Sequence, residues 1–416
     1  MPQSTGFSRY ARDLVCDGIP LAEIAAAVGT PVYVYSAPLL RDCYRAIDEA
    51  FGGYPHVVHY ALKANSAFSI VRLLRELGSA ADANSVWEID VARRAGFLPS
   101  SIVFTGVGKS PAELEDAVAL GVKAINVESA GELARVEAIA SRLGRIARVA
   151  VRVNPDIDAK SHPHISTGLK VNKFGVPLEE ARGLLATIGG RPALRLVAVH
   201  VHVGSQIVAH DPLRRAAVLA AEISRDLLQQ GAPLEYIVLG GGLGVSYDGG
   251  DVPSAREYVT ALVDAVRSTA LPIVVEPGRA ITARAGALLA QVINMKPRNA
   301  TSEFVVIDAG MTELLRPALY GAFHQIEPLH IGDGDVRQYE IVGPVCESCD
   351  VVGRDRMLSP LAVDDLVAIR DTGAYGSAMA SNYNRRPLPP EVLVDAGSWR
   401  VIRRRQTVDD MLVLES

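Results

Sequence analysis

A (β/α)8 barrel joined to an all-β domain is the fold class that this sequence predicts, and three observations carry it. The chain has 416 residues, more than one compact core of ordinary size holds, so a barrel plus a second domain, or two ordinary domains, is expected. From about residue 37, short apolar strands alternate with loops and amphipathic helices, giving eight strands over about 240 residues, the pattern of a (β/α)8 barrel. After about Ala283 the helices stop and β-rich segments separated by turns take over. A doubly wound open sheet is the structural rival, and it normally needs fewer strands.

Residues 1–36 stand outside the repeat. LAEIAAAVG reads as a short helix. TPVYVYS, at 30–36, reads as a strand able to join the β domain, with Ser36 placed to cap the next helix. The expected barrel strands are HVVHYAL, ending at Lys63; a weak one at Ser79–Ala83 ending with Asp82; and SIVFTG at 101–106. KAINVES follows at 123–129, ARVAVRVNP at 147–155, LRLVAVHVHVG at 194–204, EYIVLGGG at 235–242 and LPIVVEPG at 271–278. The intervening helices include one opened by the capping box Ser110-Pro111-Ala112-Glu113 and closed by Gly121. The expected division is an N-terminal segment 1–36, a barrel 37–283 and a β domain 284–416.

A barrel places its active site at the C-terminal ends of its strands. Lys63, Asp82, Asn154, His202, the triplet Gly240-Gly241-Gly242 and Glu276 all fall there, so one mouth would gather the unusual residues. A lysine beside a buried strand pays for desolvation or lowers its pKa, which suits a Schiff base with a carbonyl compound or pyridoxal phosphate. Its plainer reading is a surface lysine capping a strand. Pyridoxal phosphate needs a lysine for its aldehyde, anion-binding backbone for its phosphate, a partner for its pyridine nitrogen and a face to stack on. Lys63 fits the first need and the glycine triplet the second, although glycines also make tight turns routinely. Glu276 fits the third, against a strand-end salt bridge; His202 fits the fourth, against a structural histidine, with Ser205 in reach of the phosphate.

Other patterns exclude functions. G-x-G-x-x-G fails because its third glycine falls on Val245, and GVGKS at 106–110 lacks the first P-loop glycine, Val103 standing there. Cys346-Glu347-Ser348-Cys349 lacks the second pair that zinc needs and the strand-then-helix setting of a redox motif, so no metal site is expected. A net charge of -5 leaves no footprint for nucleic acid. Four irregularly spaced cysteines, no signal-peptide core and no apolar run of about 20 residues lead to the expectation of a cytoplasmic protein without a membrane segment.

Taken in order, YALKAN, VNPDIDAKSHPHISTGLKVNKFGV, HVHVGSQ, GGGLGVSY, EPGR, RPALYGAFH, GPVCESCD and GAYGSAMASNYN resemble the diaminopimelate decarboxylases, from about residue 8 to 415. That family belongs to the pyridoxal-phosphate decarboxylases with an alanine-racemase-like barrel. The resemblance implies decarboxylation of meso-2,6-diaminopimelate to L-lysine and CO2. It makes Lys63 the lysine that carries the cofactor, His202 the residue stacked on its ring and Glu276 the partner of its pyridine nitrogen. Asp82, Ser205, Gly241, Gly242, Gly278 and Arg279 would line the cofactor, with Tyr375 near its phosphate. Arg279, Arg316, Tyr320 and Tyr375 would hold the substrate. Cys346 would be the proton donor and Glu347 the group that recognises the distal amino group, both reaching the neighbouring subunit's site, so a homodimer with shared active sites is implied.

The chain departs from the family pattern in two places. Val86 and Trp87 replace glycines in the loop after the second strand, and Cys349 stands where a glycine is usual. Rival readings keep the chemistry and change the substrate to a basic amino acid, carboxynorspermidine, or an unusual or carrier-bound amino acid. A non-catalytic relative should lack Lys63 or Cys346, and a racemase does not suit the CES and RPALYGAFH motifs.

Overall fold

The computed structural model describes residues 6–158, 167–169, 171–299 and 302–415. The stretch VNPDIDAKSHPHISTGLKVNKFGV lies partly outside them, at 159–166 and 170. The chain forms two compact units, one of Tyr44–Val245 and Asp251–Ala280, the other of Met1–Cys43, Ser246–Gly250 and Ile281–Ser416.

The first unit is a closed parallel barrel. Its eight strands are His56–Ala61, Ala80–Ala83, Ile102–Phe104, Ala124–Val127, Ala147–Asn154, Leu194–Val201, Tyr236–Val238 and Ile273–Val275. Each pairs with the next, and the ring closes where Val275 lies opposite Val58. Strands in such a barrel are covered on both faces, which is why they read as nearly continuous apolar runs. Val103, Ala124, Ala150, Ala198, Tyr236, Val238 and Val274 form one buried cluster that draws on six of the strands. The second strand is only AADA, poor in β propensity. It is set by its neighbours: Ala81 pairs with Tyr60 on one side and Ile102 on the other.

The helices follow from local signals. Pro111–Leu120 carries the expected capping box and ends at Gly121, whose φ is 68°. Ser85 caps Val86–Arg94 by accepting from Glu88 N, so Val86 and Trp87 sit in a first helical turn and Trp87 faces solvent. The glycine-free sequence there makes a helix start rather than a distorted loop.

The second unit is mostly sheet. Its main path runs Val351–Leu358, Arg337–Val342, Ser302–Ile307, Gly286–Pro297, Val32–Ser36, Glu391–Asp395 and Ser398–Arg403. Val32–Ser36 runs antiparallel to Gly286–Pro297 and parallel to Glu391–Asp395. Ser36 also accepts from Leu39 N at 3.1 Å, stopping the strand and starting the helix Ala37–Ala50. Leu14, Leu21, Ile24, Val32, Leu289, Val392 and Val394 pack together under this sheet.

Candidate active site

At the mouth of the barrel the first strand ends at Ala61 and a single 3-10 turn, Leu62–Ala64, presents Lys63. Tyr60 Oη donates to Asn65 O at 2.8 Å and Asn65 Oδ1 accepts from Ala67 N at 3.0 Å, so the turn is pinned on both sides. Lys63 itself is exposed, while Leu62 and Ala64 take the buried positions of the turn. Its Nζ lies 3.4 Å from Asn84 Oδ1, and it faces the charges of Asp82 and Glu276.

Asp82 is buried at the end of the second strand. Its Oδ1 accepts from Thr105 Oγ1 at 2.6 Å, and Thr105 in turn accepts from Asn126 Nδ2 at 2.9 Å. Burial, and then the negative charge of Glu276, push its pKa up to about 6 against the pull of Lys63. Glu276, at the end of the eighth strand, is also buried, and its Oε2 lies 3.0 Å from His200 Nε2. Burial disfavours its charge, but the charge of and hydrogen bond from His200, together with Lys63, outweigh that and hold its pKa below the usual carboxylate range. Of these two nearby carboxyls, Asp82 therefore takes up a proton first.

His202 follows the sixth strand and accepts from Gly241 N through Nδ1 at 3.2 Å. That bond leaves the ring hydrogen on Nε2. Burial, then the positive charges of Arg152 and Lys63, lower its pKa well below that of a free histidine, so the ring is neutral. Behind it, Arg152 pairs with Glu128 at 3.0 Å in a buried bridge.

The glycine triplet makes its turn close to other backbone. Gly242 has φ 107°, and a Cβ there would stand 2.7 Å from Gly204 O. The turn is fixed by Ile207 N donating to Gly242 O and Glu276 N donating to Gly240 O. Gly278 passes so near the Lys63 turn that a Cβ would meet Ala64 Cβ at 2.8 Å. Next to it, buried Arg279 donates through Nε and Nη2 to Ser205 Oγ at 3.3 and 3.1 Å. Lys63, Asp82, His202, Ser205, Gly241, Gly242, Glu276, Gly278 and Arg279 thus all belong to the barrel unit.

Arg316, Tyr320, Cys346, Glu347 and Tyr375 belong to the second unit. Arg316 opens the helix Arg316–Tyr320, its Nη1 donating to His324 Nε2 at 2.7 Å and its guanidinium lying 4.6 Å from the centre of the Tyr247 ring. Because an arginine can only donate, His324 must carry its hydrogen on Nδ1, where it reaches Arg370 O at 2.8 Å. Tyr375 has φ 58°, an unusual left-handed backbone for a bulky residue. Cys346 and Glu347 are exposed on a short loop. That loop is fastened by buried Asp350, which accepts from Val345 N at 2.8 Å and Met311 N at 2.6 Å.

Several supporting groups escaped the sequence reading. Thr105, Asn84 and Asn126 surround Asp82, and Asp350 anchors the cysteine loop. Asp350 closes the matched stretch GPVCESCD, so only its place beside the motif could have singled it out.

A pyridoxal phosphate fits the barrel site on one observation above all. Glu276 Oε1 is buried and, among the described residues, has no hydrogen-bond partner. An orphaned buried carboxylate oxygen is costly, and a pyridinium N–H would satisfy it. The bare backbone at Gly241 and Gly242 offers a phosphate cradle, and Lys63 stands at the same mouth.

The comparisons agree with this chemistry. The pyridoxal binding domain of the pyridoxal-dependent decarboxylases matches residues 39–283. A diaminopimelate decarboxylase from Vibrio cholerae is 42% identical over 413 residues, covering 99% of each chain. The crystal structure of diaminopimelate decarboxylase from Helicobacter pylori complexed with L-lysine superposes with a TM-score of 0.91 at 42% identity, over 95% of this chain and 99% of that one. That of M. jannaschii in co-complex with L-lysine gives 0.94 at 35% identity, over 100% and 99%. A barrel mouth furnished for pyridoxal phosphate and likeness along the full chain lead to one conclusion: this chain belongs to the diaminopimelate decarboxylase family of pyridoxal-dependent decarboxylases.

Proposed function

We propose that this chain decarboxylates meso-2,6-diaminopimelate to L-lysine and CO2, the last step of lysine biosynthesis, with pyridoxal phosphate held at the mouth of the barrel. The observation that carries the reading is the buried, half-satisfied Glu276 carboxylate at the same strand-end mouth as Lys63. When bound, the cofactor supplies the electron sink for the pair left by loss of CO2.

The remaining roles fall to the chain. Lys63 holds the cofactor covalently and Glu276 keeps its ring nitrogen protonated, while neutral His202 offers a flat face that adds no competing charge. Gly241, Gly242, Gly278 and Ser205 receive the phosphate, and Asp82 shapes the polar floor beside Lys63. Arg279, Arg316, Tyr320 and Tyr375 hold the substrate's carboxylates and the cofactor side of the pocket; forked guanidinium groups suit carboxylates. Cys346 delivers the proton to the α-carbon and Glu347 receives the distal ammonium group. Exposure of the Cys346–Glu347 loop supports its use in a neighbouring subunit, and so a homodimer. Free thiols at all four cysteines suit a reducing compartment, the cytoplasm. No described helix is long and apolar enough to cross a membrane.

The test is product formation by the purified protein with pyridoxal phosphate, offered meso-diaminopimelate, ornithine, lysine and carboxynorspermidine separately. Lysine formed from meso-diaminopimelate alone supports the assignment. Turnover of another amine in its place would discard the substrate. A Lys63→Ala variant that still held the cofactor's visible absorbance would discard the cofactor site.

A further inference from the structure

The motif GAYGSAMASNYN contains a second tyrosine, Tyr383, whose hydroxyl donates to Glu347 Oε1 at 2.6 Å. Tyr383 is 46% exposed, so its ring is not a core filler. An isolated surface hydrogen bond of this kind contributes little by itself. What surrounds it is less ordinary.

Tyr383 opens the turn Tyr383–Arg385, in which Asn384 and Arg385 both have φ 54°. Two successive left-handed residues without a glycine persist only where neighbouring contacts over-determine them. Here they do. Asn382 Nδ2 donates to Arg386 O at 2.9 Å and to Gln406 Oε1 at 2.5 Å, and Arg386 donates to Asp308 O at 2.5 Å. Ser381 N donates to Thr312 O at 2.9 Å. The Glu347 loop is tied to the same stretch, because Asp350 accepts from Met311 N. Phenol and carboxylate are therefore mounted on one frame, residues 311–312, and meet there.

We propose that Tyr383 is a positioning residue that fixes the Glu347 carboxylate, committing Oε1 so that Oε2 is presented to the substrate's distal ammonium group. The proposal rests on the reading of Glu347 given above. A phenol suits the task because it donates without neutralising the carboxylate, as an arginine or lysine would. It also stays a donor: the hydrogen bond to Glu347 and the charge of that carboxylate raise the Tyr383 pKa, so the hydroxyl keeps its proton at working pH.

The test compares Tyr383→Phe, Glu347→Gln and the double variant, each as holoenzyme, for KM and kcat on meso-diaminopimelate and for melting temperature. Tyr383→Phe should raise KM about tenfold, the size of one charge-assisted hydrogen bond. Its kcat should stay within about twofold and its melting temperature should not move, as expected of a ground-state binding contact. In the Glu347→Gln background the phenylalanine should add nothing further. A Tyr383→Phe enzyme with unchanged KM, beside a Glu347→Gln enzyme with raised KM, would overturn the positioning role alone. Unchanged KM in Glu347→Gln would overturn the reading of Glu347, and this proposal with it. Equal penalties from the phenylalanine in both backgrounds would reduce Tyr383 to a structural residue.

Discussion

Replacing Glu276 by glutamine isolates the charge at the pyridine nitrogen from the shape of the pocket. The side chain keeps its volume and keeps an oxygen for His200, which lies 3.0 Å from Oε2. What is lost is the negative charge opposite the ring nitrogen, and an amide NH2 can occupy the place of the orphaned Oε1. One hydrogen bond to a charged group is worth about 1.5–3 kcal/mol. At about 1.4 kcal/mol per decade, kcat should fall roughly 10- to 150-fold. The free protein should lose stability as well. The pair is deeply buried, with side-chain exposures of 1% for His200 and 6% for Glu276, and folding favours the Glu276 charge, so removing it costs up to about 3–5 kcal/mol. The assay is lysine formation at saturating pyridoxal phosphate, beside a thermal melt of the same preparation without cofactor. Activity within threefold of the parent would refute the argument. So would a loss of activity that vanishes when the variant is assayed at a temperature where it is fully folded.

Two further predictions concern charge and assembly. In the cofactor-free protein Asp82 titrates near 6, above its unfolded range, so its contribution to stability is full below about pH 4 and is lost as the pH rises through about 6. Asp82→Asn should remove that loss, so its stability relative to the parent should gain up to about 3 kcal/mol between pH 4 and 7 in urea melts; parallel curves would contradict the burial argument. For the homodimer, Lys63→Ala and Cys346→Ala preparations, each inactive, should on mixing and subunit exchange recover up to about a quarter of full activity, since a hybrid dimer carries one intact site. No recovery despite demonstrated exchange would place both residues in sites served by a single chain.

The barrel was legible because parallel strands covered on both faces need nearly continuous apolar runs rich in branched and aromatic residues, and every strand but the second has them. The second strand, AADA, has neither β-branched nor aromatic residues. Spacing alone located it, and its neighbours' registers supply what its own propensity lacks. Residues of the site with a chemical signature, Lys63, His202 and Glu276, could be picked out because lysine, histidine and glutamate at strand ends are conspicuous. Thr105, Asn126 and Asp350 could not. The threonine next to last in SIVFTG looks like any β former until Asp82 Oδ1 is known to lie 2.6 Å from its hydroxyl. Tyr247 illustrates the same limit: in the loop sequence VSYDGG nothing announces that its ring will lie against Arg316.

The place of Val32–Ser36 in its sheet bears on how the protein is made. This strand leaves the ribosome long before one of its two partners, Glu391–Asp395. At roughly 5–20 residues per second, the wait is about twenty seconds to a minute. Throughout it, an apolar VYVYS segment has one edge without its final neighbour, the kind of edge that recruits other chains. The barrel's wait is shorter, since its strands emerge in the order in which they pair and only His56–Ala61 waits for the eighth, Ile273–Val275. Nascent chains stalled or cut before residue 391 would therefore hold a complete barrel sequence attached to an adhesive, unfinished sheet. The strand Glu391–Asp395 acts in effect as the release signal that makes the chain safe to let go.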